Sequence, residues 1–127
     1  VVEKPSQITL LIPLPIIYNA DSKGARMPVE SEKFIIPAEE IARKFGGGML
    51  HRFADAPPSG FWWNKGVLSQ EEMSAFEVDF LDTDENRQWI KIYAKDVLLK
   101  RFRQDASYLK FIGPVESLEV TEETILE

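Results

Sequence analysis

The chain has no cysteine. Disulfides, thiolate nucleophiles, iron–sulfur clusters and cysteine-built zinc sites are therefore excluded. It has one histidine, His51, so metal or acid–base chemistry would have to be assembled around that residue and carboxylates. Long apolar runs are also lacking. The longest, residues 8–17, is ten residues interrupted by Pro13 and Pro15, too short to cross a bilayer. It lacks the basic flank and small-residue cleavage site of a secretory leader. A cytoplasmic, membrane-free protein is the expectation, because a cysteine-free chain suits a reducing compartment. Positive charge is scarce overall. With 21 acids against 15 bases the chain carries −6, which weighs against general nucleic-acid binding.

Glycine clusters once, at Gly46-Gly47-Gly48. A phosphate loop needs Lys-Ser/Thr and a helix after its glycines, and a dinucleotide fingerprint needs a strand before them. Here the order is helix, glycines, strand, so the cluster reads as helix termination with Gly46 as the left-handed cap. No cofactor is expected.

What is present centres on residues 83–113, one long helix feeding a strand. Asp82, Thr83, Asp84 and Glu85 supply capping groups and suit the positive end of the helix dipole. Ile90, Ala94, Val97, Leu98 and Phe102 form the main apolar stripe. Trp89, Ile92, Tyr93 and Leu99 lie outside it. This second stripe is either a broad core face or an interface anchored by Trp89 and Tyr93. A homodimer is the expected use of such an interface. The helix also carries six bases against Asp96, which reads as a solvated face with packed aliphatic stems.

Elsewhere the elements are shorter. Residues 7–14 read as a strand with Ile8, Leu10, Ile12 and Leu14 on one face. Residues 19–24 are turn chemistry, and residues 25–32 an irregular arm. Pro37 at a first helical position opens a helix over residues 37–45. Residues 49–53 form a second strand and residues 54–60 a proline-containing loop. Phe61-Trp62-Trp63 enters a tight turn at Asn64-Lys65-Gly66. Residues 73–81 alternate cleanly, with Phe76, Val78 and Phe80 on one face and Glu77 and Asp79 on the other. Residues 107–112 are a further strand, Gly113-Pro114 a bend, and residues 115–120 a short edge strand. Residues 1–120 thus read as one domain and residues 121–127 as an acidic tail.

This order, strand, helix, strand, strand, helix, strand, matches the ferredoxin-like βαββαβ arrangement. The expectation is an α+β sandwich with an antiparallel sheet, helices on one face and an irregular N-terminal arm. Phe45-Gly46-Gly47-Gly48 with Leu50, Gly60-x-Trp62 before Gly66, and residues 101–107 resemble the motifs of an uncharacterised bacterial family of small domains. The resemblance covers residues 40–120. It implies the ferredoxin-like fold and brings no established activity; the long N-terminal arm departs from it.

Two constellations carry functional candidates. His51, Glu77 and Asp79 could meet on the open sheet face as a catalytic or metal-binding group. This is the alternative reading, a cofactor-independent enzyme of dimeric α+β barrel type. Adjacent Trp62 and Trp63 must point to opposite sides of an extended segment, one inward and one toward a pocket or interface. With Trp89 and Tyr93 they are the candidate contacts of a binding domain that recognises a protein partner or a small ligand. That domain is the primary expectation.

Overall fold

The computed structural model describes residues 6–52 and 56–125. Five antiparallel strands and two main helices form an α+β arrangement. β1 (Gln7–Pro15) runs down the middle of the sheet. It pairs with β4 (Val67–Leu81) from Gln7 opposite Leu81 to Pro15 opposite Met73. On its other side it pairs with β5 (Lys110–Val115). β2 (Met49–His51) and β3 (Ser59–Asn64) both pair with β4. They share the edge of β4 away from β1. Glu72 accepts from the Ile16 N–H on the β1 side, while the Met73 N–H donates to Pro58 on the other. The fold has one strand more than the four of the expected arrangement.

Alternation builds the core. Ile8, Leu10, Ile12 and Leu14 of β1 and Phe76, Val78 and Phe80 of β4 are all buried. They meet Phe34 and Ile41 of α1 (Glu32–Phe45) and Ile90, Tyr93, Ala94, Leu98 and Phe102 of the second helix in one cluster. That helix starts as α2 (Asp84–Tyr93), widens into a π-helical turn (Ala94–Leu98) and closes with α3 (Leu99–Arg101). Thr83 is its N-cap, accepting from the Asn86 N–H at 3.1 Å. Asp82 is not a cap; it accepts two hydrogen bonds from Arg87. Among the described residues no helix is long and apolar enough to cross a membrane.

Several sequence expectations need correction. α1 begins at Glu32, so Pro37 lies inside it. Only the carbonyl of Lys33 loses a partner, and the added turn buries Phe34 against Phe102, ring centroids 5.4 Å apart. β4 starts six residues before the expected Met73 because its first part pairs with β3. β5 starts at Lys110 rather than residue 107, because the preceding residues are engaged elsewhere. Gly113 and Pro114 lie within it, where the expected bend takes the form of a register shift: β5 spends three residues from Ile112 to Val115 against two of β1 from Thr9 to Gln7. Proline is compatible with this outer strand. A Cβ on Gly113 would sit 2.5 Å from Cγ2 of Ile8. Residues 116–120 form no strand. Phe53, which closes the expected second strand, and Glu127 of the expected tail lie outside the described residues, as do Ala54 and Asp55 of the loop.

Candidate functional site

The main cavity opens where the sheet ends, beside the last residues of β1. It measures about 380 Å³. Pro13 and Pro15 of β1, Met73 of β4, and Leu98 and Phe102 of the second helix give it apolar walls. Ser69 and Glu71 of β4 line the same space, as do Trp62 of β3 and Gln104, Asp105, Ser107 and Tyr108 from the segment before β5.

Local rules place each of these groups. Lys65 and Gly66 both have positive φ, 51° and 83°, the signature of a type I′ two-residue turn. That turn fixes the β3–β4 register with Trp62 opposite Ser69 and Gly60 opposite Glu71. Trp62, Ser69, Glu71 and Met73 therefore share one face of the ribbon. From the other side, Arg103 adopts a left-handed φ of 49° just after the helix. The Gln104 N–H bonds back to the Leu99 carbonyl at 2.9 Å. This sharp exit sends residues 104–108 to the cavity. Tyr108 stacks on Trp62 with centroids 4.5 Å apart and planes 6° from parallel. The stack joins β3 to the β5 approach and accounts for the late start of β5.

The polar groups divide by sign. Glu71 and Asp105 are both acids, and no lysine or arginine lines the cavity. Arg26 approaches Glu71 at 3.7 Å, where the Glu71 side chain is 16% exposed. The Nε2 of Gln104 is buried and has no hydrogen-bond partner. A buried donor without an acceptor costs about 1–3 kcal/mol. The site thus combines aromatic and apolar surface with two carboxylates and the neutral polar residues Asn19, Ser69, Gln104 and Ser107.

The other sequence candidates are placed differently. Both tryptophans border the cavity: Trp62 is half-buried against Tyr108, and Trp63 is 74% exposed. Tyr93 is buried in the core. Burial, with Glu40 adding to it, pushes the Tyr93 phenol pKa up. Trp89 is half-buried, stacked on Tyr93 at 5.1 Å and edge-on to Phe45 at 5.5 Å. Most of the second stripe is thus spent on α1 within the chain, and Ile92 is its exposed member.

His51, Glu77 and Asp79 share the sheet face opposite the core, and the His51 Nε2 lies 3.4 Å from Glu77. Asp79 accepts hydrogen bonds from Thr9, at 2.6 Å, and from Ser117. A shallower hollow beside Gly46-Gly47-Gly48 includes Glu77 and Asp79 without His51. The three groups therefore do not converge in one enclosure. No cluster of three or more His, Asp or Glu positioned to hold a metal occurs among the described residues.

Glu71, Gln104 and Tyr108 were not singled out by sequence reasoning. Trp62 was, and residues 104–107 lie in a stretch that carried the family resemblance. A scan against models of protein families and a search of curated proteins both found no match.

Proposed function

We propose that this chain is a cytoplasmic binding domain whose ligand is a small amphipathic molecule, neutral or cationic, seated in the Trp62–Tyr108 cavity. The observation that carries the reading is the Trp62–Tyr108 stack at the wall of a cavity of about 380 Å³ that Pro13, Pro15, Leu98 and Phe102 also line. Ligand sites typically combine a mostly apolar pocket of about 300–1,000 Å³ with a few convergent polar groups. The aromatic faces attract a ring or an organic cation. Glu71 and Asp105 accept from an amine or hydroxyl. Anions are disfavoured by the two carboxylates. Nothing in the geometry favours the enzyme alternative, since Asp79 is committed to Thr9 and Ser117.

The same reading bears on the fold. From His51 to Ser59 the edge chain advances eight positions while β4, from Ala75 to Glu72, advances three. That both strands follow one edge of β4 supports counting them as the single edge strand of a ferredoxin-like sandwich.

The test is ligand-observed NMR with a fragment set of amines, amides, alcohols and carboxylates, followed by titration of Trp fluorescence. Amines and neutral amides should bind the parent, and Trp62→Ala should weaken them at least ~10-fold, on the scale of one lost aromatic contact of about 1.4 kcal/mol. Preferential binding of carboxylates, or affinity unchanged by Trp62→Ala, would refute the assignment.

A further inference from the structure

We propose that the free edge of β3 pairs with the same edge of a second copy of this chain, giving a two-fold dimer centred on Phe61. The inference is independent of the cavity reading. Met73 bonds toward Pro58, so alternate residues of β4 (Glu71, Ser69 and Val67) face β3 and pair with Gly60, Trp62 and Asn64. The N–H and C=O groups of Ser59, Phe61 and Trp63 are left pointing away from β4. Among the described residues no strand pairs with that edge.

Natural edges are guarded by charge, proline or bulges. β5, at the opposite edge, carries Lys110 and Pro114. β3 (SGFWWN) carries no charge and no proline. Apart from Ser59, its outward-facing side chains are apolar: Phe61 is 58% exposed and Trp63 74%, with Leu68 of β4, opposite Trp63, 58% exposed. An edge of this kind needs a cover.

Charge and geometry select a second copy as the occupant. Two chains of net charge −6 repel over most of their surfaces. β3 itself contains no ionised side chain; the ribbon's acids, Glu71 and Glu72, stand behind Gly60 and Ser59 on β4, and Lys65 stands at the turn, so the β3 edges of two copies meet without direct like-charge contact. An antiparallel pair centred on Phe61 sets Ser59 opposite the second copy's Trp63 and matches every outward donor to an acceptor. Covered aromatic side chains contribute about 150–250 Å² each. At their observed exposure, Phe61 and Trp63 supply on the order of 300 Å² per copy. With Leu68 and the strand backbone, the contact reaches the low end of specific interfaces, about 1,000 Å² in total. The dimer is therefore expected to dissociate in the micromolar range.

Sedimentation of the full chain from about 1 to 300 μM, bracketing that range, tests this. The mass should rise from one 14.5 kDa chain toward twice that value. Hydrogen exchange at high concentration should show the Phe61 and Trp63 amides protected. Phe61→Lys sets two ammonium groups at the two-fold axis. It should remove the dimer and the protection, at least ~100-fold in affinity, with the circular dichroism unchanged because the site is exposed. Ile92→Glu, on the exposed helix face, should leave both unaltered. A parent that stays monomeric throughout overturns the proposal. So does a dimer that survives Phe61→Lys, or one lost with Ile92→Glu instead. A dimer whose Phe61 and Trp63 amides exchange freely would place the contact elsewhere and overturns it as well.

Discussion

The three adjacent glycines provide a test in which one substitution has three different costs. Gly46 caps α1 with φ 94°. Alanine there meets no neighbour but must hold a left-handed backbone, costing about 1–2 kcal/mol. Stiffening the unfolded chain offsets about 0.4–1 of this. The net loss is close to 1 kcal/mol. Gly47 has ordinary φ and open space around it. Alanine at Gly47 should be neutral or stabilising by up to ~1 kcal/mol, through the unfolded state alone. Gly48 is different again. A Cβ there would sit 2.5 Å from Cζ of Phe76 and 3.0 Å from the Glu77 carbonyl oxygen. The carbonyl belongs to the β4 backbone and Phe76 is 3% exposed, so neither yields readily. Overpacking of this kind costs about 1–3 kcal/mol. Urea unfolding of the three variants should rank stability as Gly47→Ala, Gly46→Ala, Gly48→Ala, from highest to lowest. With a slope near 2 kcal/mol per molar urea, the Gly48 midpoint falls by about 1 M. Equal losses at Gly47 and Gly48, at unchanged slope, would show that β2 does not approach β4 closely at Gly48.

Two further outcomes follow from titration. Two hydrogen bonds from Arg87 hold the Asp82 carboxyl below its ordinary value of 3.8. A depressed folded pKa contributes stability above the unfolded value and loses it as pH falls through the folded one. Arg87→Gln should raise the Asp82 pKa by carboxyl-detected NMR and flatten stability below about pH 4; an unmoved Asp82 would refute the pairing. Burial first, then its bond to Glu30, raises the Tyr18 phenol to about 12. Its contribution is complete below pH 10 and lost as pH rises toward 12. In phenolate absorbance the step near pH 12 should disappear in Tyr18→Phe while the still later Tyr93 titration remains, and a Tyr18 transition near pH 10 would contradict the assignment.

The elements whose sequence signal is local were readable. The stripe Ile90, Ala94, Leu98 and Phe102 is buried as its spacing requires, and Gly46 caps α1 in the left-handed conformation. Lys65-Gly66 forms the expected turn. The errors lie where distant segments compete. Helical propensity around Pro37 favoured a start at the proline, but burial of Phe34 against Phe102 recruits the preceding turn. Residues 107–109 have strand composition, yet the Trp62–Tyr108 stack holds the chain off β1 until Lys110. The cavity was hidden for the same reason. Glu71 sits in an exposed-looking polar run, Gln104 follows a helix end with no glycine to mark the turn, and Trp62 lies far from both in sequence. Only Trp62 was conspicuous by composition. The left-handed Arg103, which aims residues 104–108 at the cavity, has no sequence signal of the glycine or asparagine kind.

The consequential detail is the parity of β3. Adjacent tryptophans on a strand face opposite ways, so one register turns Trp62 onto Tyr108 and leaves Trp63, at the cavity rim, mostly exposed. A slip of one residue would exchange them. Two devices hold the register: the two-residue turn at Lys65-Gly66, and the Met73 N–H to Pro58 bond at the far end of the ribbon. Both act on backbone, so neither depends on which tryptophan occupies the cavity. Discrimination comes from the partners. Trp62 finds Tyr108 at stacking distance, whereas Trp63 finds Leu68 and open solvent. A single short strand thereby separates an inward aromatic, suited to a small ligand, from an outward one, suited to a second chain. The turn therefore decides which ring stacks on Tyr108.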